Sequence, residues 1–217
     1  MNTLLVIAKE PRPGRVKTRL TPPFTPEEAA GLAEASLADT LHAVAATPAA
    51  RRVLVLDGVP GPWLPPGFDV VAQCAGGLDE RLAEAFAGCT GPALLIGMDT
   101  PQVTPDLLTV DFTDCDAWFG PAQDGGFWAL GLACPDPAPL RGVPMSTPMT
   151  GAVQRERLVA AGLRVRDLPR LRDVDTAPDA HAVAALAPQG RFAARLARCP
   201  VAAAPVTEPV SRPAGPR

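Results

Sequence analysis

Residues Thr3–Leu20, TLLVIAKEPRPGRVKTRL, join an apolar run to a loop crowded with positive charge. Thr3–Ala8 is short and apolar, the pattern of a strand covered on both faces. The residues that follow carry Lys9, Arg12, Arg15, Lys17 and Arg19, with two prolines and Gly14 to keep the segment out of a helix. In these first nineteen residues five cations stand against one anion, Glu10, although the 217-residue chain has a formal net charge of −3. A positive field confined to one loop of an acidic protein suits a small anionic ligand such as a phosphate compound, and speaks against a nucleic-acid partner.

Downstream, TPEEAAGLAEASLADTLHAVAAT predicts a helix with a marked start: Thr25 caps, Pro26 takes the first helical position, and Glu28 completes a capping box. Leu37, Leu41 and Val44 share one face, and Thr47-Pro48 ends it. Strands are expected at Arg51–Asp57 and Asp69–Gln73, then a helix whose Leu78, Leu82 and Phe86 form a stripe. Pro92–Asp99, PALLIGMD, reads as a buried strand, and Thr104-Pro105-Asp106 opens a short helix. DAWFGPA and FWALGL flank QDGG as two strands joined by a turn. Thr147-Pro148 starts a helix through Leu158, LRVRDLP and RDVDT are extended, and Thr176 with Asp179 caps the last helix. Strands alternating with helices predict a three-layer α/β domain on a mixed, mainly parallel sheet, spanning residues 1–199. Residues 200–217, rich in proline and without apolar periodicity, are expected to form a disordered tail.

A hydrophobic fraction of 47% and a charged fraction of 20% are those of a soluble globular chain, and no stretch is long and apolar enough to span a membrane. The five cysteines, Cys74, Cys89, Cys115, Cys134 and Cys199, are odd in number and never spaced C-x-x-C, which predicts reduced thiols in a cytoplasmic protein.

Ligands of such sheets bind at the carboxyl ends of the strands, which singles out three loops. In the first, an extended backbone would project Arg15, Lys17 and Arg19 to one side, where arginine forks and a lysine point charge suit phosphate. Neither a Walker A nor a GxGxxG pattern is present. In the second, Asp99 ends an apolar strand; its carboxylate would hold a divalent cation on a diphosphate, magnesium by preference, or begin an Asx turn. In the third, Asp173 and Asp175 point the same way if extended, and Asp175 is either a second metal ligand or a helix cap. Asp124-Gly125-Gly126 reads both as a hairpin turn and as backbone against which a ligand can lie, with Asp124 to accept hydroxyl hydrogen bonds and Trp128 to face a sugar ring. The only histidines, His42 and His181, fall on predicted helices, so a histidine triad or zinc site is not expected.

The segments AKEPRPGRVKTRL, LDERLAEAF, LLIGMDTPQVT, GPAQDGGFWALGL and RDVDTAPD occur in the order seen in a bacterial glycosyltransferase-like family, radical-SAM/selenodomain-associated transferase family 1, and the chain resembles that family over Asn2 to Leu186. The resemblance implies the GT-A, nucleotide-diphospho-sugar transferase fold and transfer from a nucleotide-activated donor to an acceptor, with Mg2+ or Mn2+ as cofactor. It also implies nucleotide phosphates near Arg12, Gly14, Lys17 and Arg19, beside the Arg15 read above, the metal at Asp99 with Asp175 as its complement, and the transferred group or acceptor near Asp124, Gly125 and Gly126, beside the Trp128 read above. Lys17 and Arg19 would then stabilise the leaving group, and Asp124 is the candidate general base. Two departures stand out. AGGLDERL (Ala75–Leu82) replaces a GxDLGERL-like stretch, and Gly97 replaces the first acid of a DxD motif. The K-T-R-L segment is also similar to 2-phospholactate guanylyltransferase and molybdenum-cofactor nucleotidyltransferases, which makes nucleotidyl transfer the second expectation and non-catalytic nucleotide binding the third.

Overall fold

The computed structural model describes Asn2–Cys199, so the expected tail at 200–217 lies outside the described residues. The apolar run of the opening segment forms β1 (Thr3–Lys9) at the centre of a seven-stranded sheet. Along it Leu4, Val6 and Ala8 enter one core and Leu5 the other, as strand alternation requires. β1 lies between β2 (Arg51–Asp57) and β4 (Ala93–Ile96), parallel to both. The full order is β3-β2-β1-β4-β6-β5-β7, with β3 at Asp69–Ala72, β5 at Ala117–Pro121, β6 at Phe127–Leu132 and β7 at Val165–Asp167. Only β6 runs against the rest, being antiparallel to both β4 and β5. The sheet is therefore mixed and mainly parallel, as expected.

Helices cover both faces. α1 (Pro26–Ala46) begins with the predicted Thr25/Glu28 capping box and buries Leu37, Leu41 and Val44 against Leu4, Val6, Leu54 and Leu94. α2 (Leu78–Ala87) and α4 (Thr150–Ala160) cover the other face through Leu82, Phe86 and Leu158. α3 (Pro105–Leu108) is a single turn. A third, smaller core joins Leu20, Phe24 and Leu32 to Val174, Val183, Phe192 and Leu196. It packs the basic loop and the start of α1 against α5 (Ala177–Leu186) and α6 (Arg191–Leu196).

Several boundaries differ from expectation. β4 stops at Ile96, and Gly97–Asp99 leave the sheet in a bend. α4 starts at Thr150, because Thr147 and Thr150 exchange local hydrogen bonds that close a turn ahead of the helix. Leu78 is exposed while Leu82 and Phe86 are buried, since the first turn of α2 faces the cavity at the end of the sheet. RDVDT lies outside the sheet, and its neighbour Leu171 makes one isolated bridge to Ala122. α6 was not anticipated, because its six residues are too few to show periodicity.

A candidate active site at the carboxyl edge of the sheet

A cavity of about 900 Å3 opens where β1 and β4 end. Its wall takes Ala8 and Lys9 from β1, Gly76–Leu78 from the start of α2, Asp99 after β4, Asp124 and Gly126 from the β5–β6 turn, and Ser146–Pro148 ahead of α4.

The basic loop is not extended. A turn precedes Val16, which is buried, Lys17 adopts a left-handed backbone (φ 48°), and a 3-10 turn follows at Thr18–Leu20. The side chains of Lys17 and Arg19 nevertheless converge. Lys17 Nζ donates to Asp99 Oδ2 at 2.9 Å and to Asp175 Oδ1 at 3.0 Å, and Arg19 Nη1 donates to Asp175 Oδ2 at 3.0 Å. The Lys17 side chain is only 12% exposed, against 33% for Asp99 and 28% for Asp175. Burial works against the Lys17 ammonium, yet the charges of Asp99 and then Asp175 outweigh it and raise its pKa above the ordinary lysine value.

Residues so far apart in the chain meet through packing next to them. Leu20 and Val174, each adjacent to a charged residue of the cluster, are buried in the same small core. Val174 also donates its backbone N–H to Asp99 O at 2.9 Å, pinning the 173–175 segment to the end of β4. Asp175 is thus a cluster carboxylate; the cap of α5 is made by Thr176 and Asp179.

Asp173 completes the group, joining the two residues that the sequence singled out. Oxygens of Asp99, Asp173 and Asp175 lie within 4.8 Å of one another, so Asp-Val-Asp at 173–175 supplies the paired acids that Gly97 removes from 97–99. The alternation of the two aspartates was the available signal. Burial, then the carboxylates of Asp99 and Asp124, push the Asp173 carboxyl up to about 6. Because the folded pKa is raised, the native state binds the extra proton, and its stability falls as pH rises from about 4 through about 6. Asp173→Asn is therefore expected to stabilise the metal-free protein by about 1–2 kcal/mol above that range, after discounting for solvent screening, with no difference near pH 4. Urea titrations at the two pH values check it.

Other predicted residues fall differently. Arg15 lines the cavity, whereas Arg12 pairs with Glu10 at 2.7 Å and, like Gly14, is not among the lining residues. Asp124 is exposed and lines the cavity, and its Oδ1 accepts the Gly126 N–H at 2.7 Å, which closes the turn. Gly125 is needed for contact between two backbones: at φ +90° a Cβ would sit 2.0 Å from Pro148 O, and Gly125 O accepts the N–H of Gly151. Trp128, expected to face a sugar ring, borders the cavity but presents little of its ring to it. Trp128 is 2% exposed in the core, and its Nε1 donates to Pro169 O at 3.0 Å, because Gly120 on the neighbouring strand leaves room for the indole. The neighbouring Phe127 is half-buried and lines the cavity beside it, offering the more exposed ring.

Two further wall residues were not anticipated. Gln73 Nε2 donates to the carbonyls of Ala8 and Val55, and its Oε1 accepts from Arg81, which holds the end of β1 in place. In the altered Ala75–Leu82 stretch, Glu80 accepts the Gly77 N–H, ordering the Gly76–Leu78 wall segment, and Asp79 accepts that of Gly142, tying the start of α2 to that turn.

The donor set is three carboxylates, with hard oxygen ligands of the kind magnesium and manganese take. The ammonium of Lys17 seated between Asp99 and Asp175 is a cation already standing in that gap, so the residues fit such an ion.

A family described as "Uncharacterized protein conserved in bacteria (DUF2064)" matches residues 32–147. No curated protein matches the sequence. Among solved structures, a candidate nucleotide-diphospho-sugar transferase from Desulfovibrio desulfuricans G20 is similar with a TM-score of 0.76 and 26% identity, over 91% of this chain and 98% of that one. CMP:2-keto-3-deoxy-manno-octonic acid synthetase, solved with CTP, has a TM-score of 0.55 and 12% identity, covering 87% and 99%. The 2-C-methyl-D-erythritol 4-phosphate cytidylyltransferase of Thermus thermophilus has a TM-score of 0.53 and 17% identity, covering 87% and 100%. The fold is thus that of nucleotide-diphospho-sugar transferases and cytidylyltransferases.

Proposed function

We propose that this chain, which belongs to the DUF2064 family, is a divalent-cation-dependent transferase that moves a group from a nucleotide-diphosphate-activated donor to a small-molecule acceptor. The single observation that carries the reading is the meeting of Lys17 and Arg19 with Asp99, Asp173 and Asp175 in one cavity at the carboxyl edge of the sheet. A volume of about 900 Å3 lies within the usual range of small-molecule pockets.

In this reading Asp99 and Asp175, with Asp173, hold Mg2+ or Mn2+, and Lys17, Arg19 and Arg15 receive the phosphates. The bound cation would supply Lewis-acid neutralisation of the diphosphate. Arg19, 70% exposed, has one face free for a bidentate phosphate contact while it holds Asp175. Asp124 and Gly126 bound the transferred group or acceptor, with Phe127 in the role first given to Trp128. Asp124 is the group nearest to a general base for the acceptor hydroxyl, and the cations stabilise negative charge gathering on the leaving group. Glycosyl transfer is the first choice, supported by the similarity to the Desulfovibrio protein.

Nucleotidyl transfer is the second reading, supported by the same cation pair, which suits a pyrophosphate leaving group equally well. Phosphorus NMR of the protein with Mg2+ or Mn2+, a panel of nucleotide sugars or of nucleoside triphosphates, and pooled sugar-phosphate or alcohol acceptors separates the two. Release of a nucleoside diphosphate is the expected result, release of pyrophosphate selects the second reading, and binding without release of either makes the protein a nucleotide binder only.

A further inference from the structure

Three carboxylates and one ammonium share a space in which a divalent cation is proposed to bind, and the ammonium already uses the oxygens such an ion needs. Lys17 takes Asp99 Oδ2 and Asp175 Oδ1, while Arg19 takes the remaining oxygen of Asp175. Asp173 has no ion pair among the described residues. A dication cannot enter between Asp99 and Asp175 with Lys17 in place, because like charges at ionic contact distance in a partly desolvated site repel strongly. The backbone anchor of Lys17 is fixed by buried Val16 and Leu20 on either side, so only its flexible stem can move, and the large cavity adjoins it.

We infer that Lys17 is an internal counter-ion that competes with the divalent cation for Asp99 and Asp175 and swings into the phosphate space when the cation enters. The inference rests on the metal reading above and adds to it a coupling between the two ligands. Metal loading and release of the phosphate-binding ammonium become one event, so metal alone binds weakly and a phosphate-bearing ligand, by holding the released Lys17, tightens it reciprocally. Among the described residues the same exchange also explains how three neighbouring acids are tolerated without metal: the lysine neutralises two of them until a stronger cation arrives.

Two measurements on the full chain test it. Manganese is titrated alone and followed by the EPR signal of the free ion, in wild type, Lys17→Met and Asp99→Asn. Lys17→Met is expected to bind Mn2+ about tenfold tighter than wild type, since the competing charge is gone. Equal or weaker binding by a folded Lys17→Met overturns the exchange. If neither wild type nor Lys17→Met binds Mn2+, or if Asp99→Asn binds as well as wild type, the metal site itself is overturned. The second measurement needs no variant. Lys9 and Lys17 are the only lysines, and Lys9 is exposed, so amine acylation read by mass spectrometry carries its own reference. Lys17 is expected to be protected in metal-free protein and to gain reactivity several-fold relative to Lys9 on adding Mn2+. Mn2+ that binds by EPR yet leaves Lys17 protected overturns the exchange while leaving the metal site standing.

Discussion

Adding Mn2+ or Mg2+ with a nucleoside diphosphate at about 100 times the dissociation constant is expected to raise the unfolding temperature by about 5–10 °C, and Asp99→Ala is expected to abolish that rise. A ligand that binds only the native state at that excess stabilises it by about 2.7 kcal/mol, and for a chain of this size each kcal/mol moves the midpoint by about 2–4 °C. Asp99 lies at the centre of the effect because its carboxylate meets the Lys17 ammonium while its backbone carbonyl holds the 173–175 segment beside it, and the loop after β4 offers no second carboxylate there. Without ligand, Asp99→Ala still leaves Lys17 paired to Asp175, and the fold persists. Differential scanning fluorimetry of the two proteins with metal alone, nucleotide alone and both gives the answer. A full shift retained in Asp99→Ala would remove Asp99 from the ligand set.

Trp128→Ala is expected to cost about 3–5 kcal/mol of stability, the usual consequence of emptying a large buried aromatic site. The indole lies in the same core as Leu94, Ile96 and Leu108, and its N–H ties down Pro169 at the head of the segment that carries Asp173 and Asp175. Trp128→Phe keeps most of the volume and loses the hydrogen bond, for which about 1 kcal/mol is the expected penalty. Urea denaturation measures both. A ring that stacked on a sugar would behave in the opposite way: stability would hardly change on truncation, and ligand affinity would fall.

Much of the architecture was legible locally. Thr25, Pro26 and Glu28 announce α1 because a capping box is satisfied within four residues, whatever lies elsewhere. β1, β2 and β4 are legible because strands buried on both faces must be apolar throughout. The charge of the first loop is equally plain, and Lys17, Arg19, Asp99 and Asp175 do come together. The route to that meeting is not legible: alternation would need an extended loop, whereas the loop is turned and Lys17 is left-handed. The membership of Asp173 in the cluster is not legible either, because a D-x-D pair before a capped helix has two local explanations, and sequence spacing does not choose between them.

From its sequence alone, then, this protein is an α/β chain with a central apolar strand leading into a cationic loop, because periodicity, capping and charge density are properties of neighbours in the chain. Only the tertiary structure decided which opposite charges face each other and which aromatic is core. Lys17 finds Asp99 across 82 positions and Asp175 across 158, and Trp128 reaches Pro169 across 41. Such distant pairs are selected by how Leu20, Val174 and Gly120 pack, a choice made by the whole fold at once.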